Sequence, residues 1–172
     1  MAELFNNKVA ESGIVTIDLA SLLPSNEIIV FDIKPYLFME LILKEKEFRA
    51  ALLTTDWTIY QDKVVGIVCS ADAIIPMWAN MLIVSALNPF AKGVYFGNEN
   101  KVREQQLLEN INTLNINEYN DQRVVIKGCG DVPIPDAAYT AITFKLRPVA
   151  KSIMYGEPCS TVPIYKKKKP IE

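Results

Sequence analysis

The stretch Lys63-Val64-Val65-Gly66-Ile67-Val68-Cys69-Ser70-Ala71-Asp72 decides the fold. Its run Val64–Val68 is almost continuously apolar, the mark of a strand covered on both faces, as strands of a parallel sheet are. A helix with apolar residues on most sides, expected to be buried, follows over 75–87. From there the alternation continues: Gly93–Gly97 as a strand, 99–113 as an amphipathic helix, Val124–Ile126 as a strand, 136–146 as a helix and Ser152–Tyr155 as a strand. Strands separated by helices imply βαβ units with right-handed crossovers.

Upstream, Ile14-Val15-Thr16-Ile17-Asp18 and Glu27-Ile28-Ile29-Val30-Phe31-Asp32 are β-branched or aromatic runs and read as strands. Asp32-Ile33-Lys34-Pro35 then opens a helix expected to continue to about Leu53, with Pro35 in its first turn. The fold class is α/β, a three-layer sandwich on a mostly parallel sheet, with the N-terminal strands pairing antiparallel at an edge. No Pro/Gly/Ser-rich linker divides the chain, so 1–172 reads as one domain with a short basic tail, 165–172.

Composition narrows the function. Half of the 172 residues are apolar and the formal charge is −2, which favours a globular chain and gives no global electrostatic case for nucleic acid. The N-terminus lacks a basic segment followed by an apolar one, and the apolar stretch Ile74–Leu87 is too short for a bilayer. With three cysteines and no secretory signal, the expectation is a cytoplasmic protein with free thiols and no membrane partner. There is no histidine. That removes Ser-His-Asp and Cys-His nucleophile activation and every metal site that needs imidazole.

Two segments echo each other. Lys63-Val64-Val65 precedes Cys69 and Arg123-Val124-Val125 precedes Cys129; Tyr60 and Asp62 match Tyr119 and Asp121; Asp72 and Pro76 match Asp131 and Pro135. Equivalent placement of the two cysteines follows as an expectation. Cys69, Cys129 and Cys159 each lie just past an expected strand, where ligands bind in open parallel sheets. The helix starts near Ile75 and Asp136 would acidify a nearby thiol.

Three readings of the cysteines stay open. They are small unreactive thiols on an interaction protein. They are, with Asp72, Asp131, Glu157 or water, ligands of zinc, iron or an iron–sulfur cluster. Or one is the nucleophile or persulfide carrier of a thiol enzyme. No CxxC is present, so a metal site rests on convergence in the fold; a metal-binding accessory protein is nevertheless the reading taken. Lys166–Lys169 reads as a solvated tail, and Trp57 and Trp78 as core or interface residues. A homo-oligomer is compatible with all three readings.

Asp32-Ile33-Lys34, Leu43-Lys44-Glu45-Lys46-Glu47-Phe48-Arg49, Cys69-Ser70-Ala71-Asp72-Ala73-Ile74-Ile75-Pro76, Val125-Ile126-Lys127-Gly128-Cys129 and Lys151–Pro163 together resemble the family of domain of unknown function 2480. The resemblance covers nearly the whole chain. It implies a link to iron–sulfur assembly, with sulfur- or iron-handling proteins as partners, and it assigns no catalytic residue.

Overall fold

In the computed structural model, which describes residues 13–128, 130, 132–157 and 160–168, the run Val64–Val68 is a strand buried along its first four residues. Among the described residues, seven strands and four α-helices follow one another. They are β1 (Ile14–Asp18), β2 (Ile28–Asp32), α1 (Glu45–Thr54), β3 (Val64–Val68), α2 (Met77–Leu87) and β4 (Gly93–Phe96), then α3 (Glu99–Thr113), β5 (Arg123–Lys127), α4 (Asp136–Leu146), β6 (Ser152–Glu157) and β7 (Ser160–Lys166). The α/β class and the mostly parallel pairing match the expectation. Two sheets replace the one expected: β2-β3-β4, all parallel, and β1-β5-β6-β7, parallel except for the last pair.

The leading strands are therefore not an antiparallel edge. β1 pairs parallel with β5, and β2 parallel with β3. Each partner strand is reached through a helix, and a crossover of that kind returns the chain in the same direction. Antiparallel strand pairing falls instead to β6 with β7. Arg147 caps the latter, its guanidinium 3.6 Å above the Tyr165 ring.

Two compact units result. The central one is Pro24–Gln105; the outer one takes the described residues up to Leu23 and those from Gln106 on. In the central unit, Phe31, Val65 and Ile67 from one face of the sheet pack with Phe48 and Leu52 of α1 and with Ala79, Ile83 and Leu87 of α2. Trp57 and Trp78 belong to this core as expected; Trp57 stacks on Phe31 with centroids 5.6 Å apart and donates its indole N–H to the Leu52 carbonyl. In the outer unit, Ile17, Val124, Ile126 and Ile153 pack with Leu107 and Ile111 of α3 and with Ala138, Ile142 and Leu146 of α4. Both crossover helices thus lie on one face of each sheet, as successive right-handed connections in the same direction require.

The two units repeat one plan at a fixed shift. β3 begins at 64 and β5 at 123, α2 at 77 and α4 at 136, β4 at 93 and β6 at 152, a shift of 59 in each case. The 3-10 turns Trp57–Tyr60 and Ile116–Tyr119 are capped alike by Asp56 and Asn115. Asp62 and Asp121 both take the left-handed conformation and both donate their N–H to the loop after the next helix, at Phe90 and Val149. The pairing registers make Asp32 of β2 the counterpart of Asp18 of β1. The echo read in the sequence is real, but its cysteine register is off by one. At a shift of 59, Cys69 corresponds to Gly128, and Cys129 falls opposite Ser70 in sequence. The Tyr, Asp and Pro matches carry the true register; the Lys63/Arg123 match does not.

The helix expected over 34–53 is corrected too. Only Lys34–Tyr36 is helical there, as a 3-10 turn, and α1 starts at Glu45. Between them Phe38 and Ile42 form an antiparallel bridge around Met39 and Glu40, whose φ angles are 52° and 59°. Two successive left-handed residues make the tight turn that fits a hairpin, normally built from Asn and Gly. Neither is present, so nothing in the local sequence marks this turn.

Candidate functional site

In the central unit the carboxyl ends of β2 and β3 are tied together by one carboxylate. Asp32, the last residue of β2, accepts from the Lys34 N–H (3.0 Å), the Ser70 N–H (3.0 Å) and the Ser70 hydroxyl (2.5 Å). Burial pushes this carboxyl up, but the Ser70 hydroxyl, the Lys34 and Ser70 N–H groups and the Lys34 charge outweigh it and hold it below the usual 3.8. Cys69 sits beside this knot, half-buried against the apolar core, with its Sγ 3.5 Å from the Ala71 carbonyl oxygen. Asp72 is exposed in the loop that follows.

At the matching edge of the outer unit, Asp18 accepts from the Ala20 N–H and pairs with Lys127 at 3.3 Å. The outer unit also holds a cavity of about 340 Å³ lined by Ile126, Asp136, Tyr139, Thr143, Tyr155 and Ile164. Tyr139 and Tyr155 meet edge to face across it, centroids 5.6 Å apart. The Tyr139 hydroxyl occupies the space that a Cβ on Gly128 would need. Glu157, half-buried, ends β6 in this unit.

Of the six expected metal ligands, Cys69, Asp72 and Glu157 are described, the first two in the central unit and the last in the outer one. Cys129, Asp131 and Cys159 lie outside the described residues. Among the described residues no group of three or more Cys, Asp or Glu is placed to hold a metal ion.

The feature that the cysteine-centred reading missed is α2. Its inner face, Ala79, Ile83 and Leu87, is buried as a crossover helix requires. The whole helix was expected to be buried; its outer face is not, because α1 and α2 form the outer layer on their side of the sheet and nothing in the central unit lies over them. Met77 is 76% exposed, Met81 71% and Val84 41%, and Ile74 just before the helix is 93% exposed. Met77, Met81 and Val84 follow steps of four and three, the spacing of an apolar seam along a helix. Between Asp72 and Lys92 the chain carries no charge. A groove of about 460 Å³ runs along Asn80, Met81, Val84, Ser85 and Asn88, and it joins at Ser85 a second groove against α1, where Leu53 is 88% exposed.

The duplicated plan supplies the comparison that gives this face meaning. α4 is the counterpart of α2 and buries the same positions, Ala138, Ile142 and Leu146. Yet where α2 has Met77, Met81, Val84 and Asn88, α4 has Asp136, Thr140, Thr143 and Arg147. α4 does carry one exposed apolar residue, Phe144, the counterpart of Ser85, but not the stripe of Met77, Met81 and Val84, so the scaffold does not demand that stripe. Met77 and Met81 leave two unbranched thioethers exposed side by side, side chains able to mould to a surface laid against them. The sequence signal was present in the uncharged stretch and the 77/81/84/88 spacing, and the high overall apolarity of the helix hid it.

No helix among the described residues is long and apolar enough to cross a membrane. Among curated proteins and solved structures, none matches the chain. A family described as "Protein of unknown function (DUF2480)" matches residues 3–167, and the chain belongs to that family, whose description carries no link to iron–sulfur assembly.

Proposed function

We propose that this member of the DUF2480 family is a non-catalytic interaction protein whose docking surface is the outer face of α2. The observation that carries the reading is the contrast between Met77, Met81 and Val84 on α2 and Asp136, Thr140 and Thr143 at the same positions of α4. The partner's contact surface is apolar and uncharged, because the stripe offers no charge for a complementary ion pair. Cys69 fits this reading as a packing residue, its sulfur turned to a backbone carbonyl and its body against the core.

The test is photo-crosslinking in the native cells, with a photoreactive amino acid at position 81 in one strain and at position 140 in another. A discrete adduct from position 81 and none from 140 supports the reading. Equal adducts from both, or none from either, removes it.

A thiolate metal or iron–sulfur centre is the second reading, resting on Glu157 at the end of β6, two residues before Cys159 in sequence. Elemental analysis of anaerobically purified protein decides it. Less than one zinc or iron per several chains, unchanged in Cys159→Ser, excludes it.

A further inference from the structure

We infer that the occupant of the α2 face is a second copy of this chain, packed on the first as a two-fold dimer; the inference rests on the docking reading given above. Three observations select a self-pairing partner. The first is charge. A two-fold interface sets each residue of the stripe against the same stripe on the other copy, so any charge near the axis would meet its like. The chain carries none from Ala73 to Ala91, and Arg49, which lines the second groove, is paired with Glu45 at 2.9 Å, whereas α4, with the same inner face, carries Asp136 and Lys145 with Arg147 at its C-cap and could not pair with itself at so small a cost.

The second is geometry. Met77, Met81, Val84 and Asn88 make one seam of alternating four- and three-residue steps along α2 and its C-cap, and two such seams interlock when the helices run antiparallel. Met81 lies close to the midpoint of the helix Met77–Leu87, so in that arrangement it sits at the two-fold axis and meets its own copy. The long unbranched side chain can fill the space there from both sides.

The third is area. Ile74, Met77, Met81 and Val84 together present roughly 500 Å² of mostly apolar surface, in the upper part of the about 300–600 Å² range of the largest patch on a typical monomer. Leu53 of α1, 88% exposed beside the second groove, brings the total to roughly 700 Å². It approaches the about 800 Å² per partner of a standard stable interface. The two grooves that meet at Ser85 supply the relief into which the partner's side chains fit.

The test is sedimentation equilibrium of the full chain over about 1–100 µM, on wild type, Met81→Asp, Met77→Lys and Thr140→Asp. Wild type should sediment at twice the chain mass of 19.3 kDa. Met81→Asp places two carboxylates at the axis and should raise the dissociation constant at least about 100-fold, about 2.7 kcal/mol. Met77→Lys, off the axis, sets a charge against the partner's apolar stripe and should raise it at least about 10-fold, while Thr140→Asp on α4 should leave the dimer unchanged. Far-UV circular dichroism and a melting curve on each variant confirm folding, which exposed positions 77 and 81 should tolerate. A wild type that stays monomeric throughout, or folded Met81→Asp and Met77→Lys proteins that stay dimeric, overturns the inference. A monomeric wild type that still crosslinks a different protein through position 81 overturns the self-pairing alone. A monomer with no adduct removes the docking reading as well.

Discussion

Ser70 donates both its backbone N–H and its hydroxyl to the carboxylate of Asp32, at 3.0 and 2.5 Å, and so fastens the loop after β3 to the end of β2. The two residues are 38 positions apart. The bond fixes the start of the loop leading to α2 and hence the placement of the helix that carries the exposed stripe.

Because the Asp32 carboxyl is held below its ordinary 3.8, the ionised form is the one the fold favours. The knot therefore contributes stability in full above the unfolded-state value and loses it as pH falls through the lower folded-state one. Asp32→Asn and Ser70→Ala should each cost about 1–2 kcal/mol at pH 7, the scale of a charge-assisted hydrogen bond on a partly exposed group. In Asp32→Asn the part of the acid destabilisation due to this group should vanish. Urea unfolding at pH 7 and at pH 3.5 measures both; a wild-type-sized pH dependence in the variant would refute the assignment.

Gly66 in the middle of β3 is required by close approach. A Cβ there would lie 2.5 Å from the Gly97 carbonyl oxygen and 3.0 Å from Val102 Cγ2. Gly66→Ala should cost about 1–3 kcal/mol, since a backbone oxygen cannot turn aside as a side chain can. The counterpart in β5 is Val125, fully buried, so its unit has room for a branched side chain where the central unit has none. A melting temperature unchanged in Gly66→Ala would show that β4 shifts freely.

Ile83 of α2 and Ile142 of α4 occupy the same place in the two plans and both are fully buried. Ile83→Ala and Ile142→Ala should each cost about 2–5 kcal/mol by lost burial and the cavity left behind. Chemical denaturation of the two variants checks this; a loss below 1 kcal/mol in either would mean that its helix is not held as described.

Cys69 is expected to be replaceable. Its counterpart is Gly128, its sulfur contacts a backbone carbonyl, and it packs on the core of the central unit. Cys69→Ala should lower stability by about 1 kcal/mol or less and leave the zinc and iron content per chain unchanged. Stoichiometric loss of a metal in that variant would make Cys69 a ligand after all.

Much of the fold was legible because its signals are local. The helices 99–113 and 136–146 follow their apolar spacing and match α3 and α4 residue for residue, and the runs at Ile14, Ile28, Val64 and Ser152 are strands as read. What the sequence hid depends on tertiary context. Two sheets and one sheet give the same alternation, since periodicity says how a strand is covered and not which strand is its neighbour. Ser160–Lys166 escaped because Pro163 and the lysines that follow argue against a strand, yet at the edge of a sheet Pro gives up no bond that the ladder needs. The candidate site was sought in the cysteines because rare residues attract attention. The face of α2 looked like core because a helix apolar all round is normally buried.

The covering of that face is open to one direct measurement. Met39 in the turn before α1 and Met77 on α2 are equally exposed in the single chain, both at 76%. Oxidative footprinting with peroxide, read by mass spectrometry at each methionine, compares them within one sample. If α2 is a docking face, Met77 and Met81 should oxidise at least about 10-fold more slowly than Met39 in concentrated protein or in native cells, and should approach its rate on dilution of the purified chain. Met77 and Met81 reacting as fast as Met39 under every condition would contradict the account.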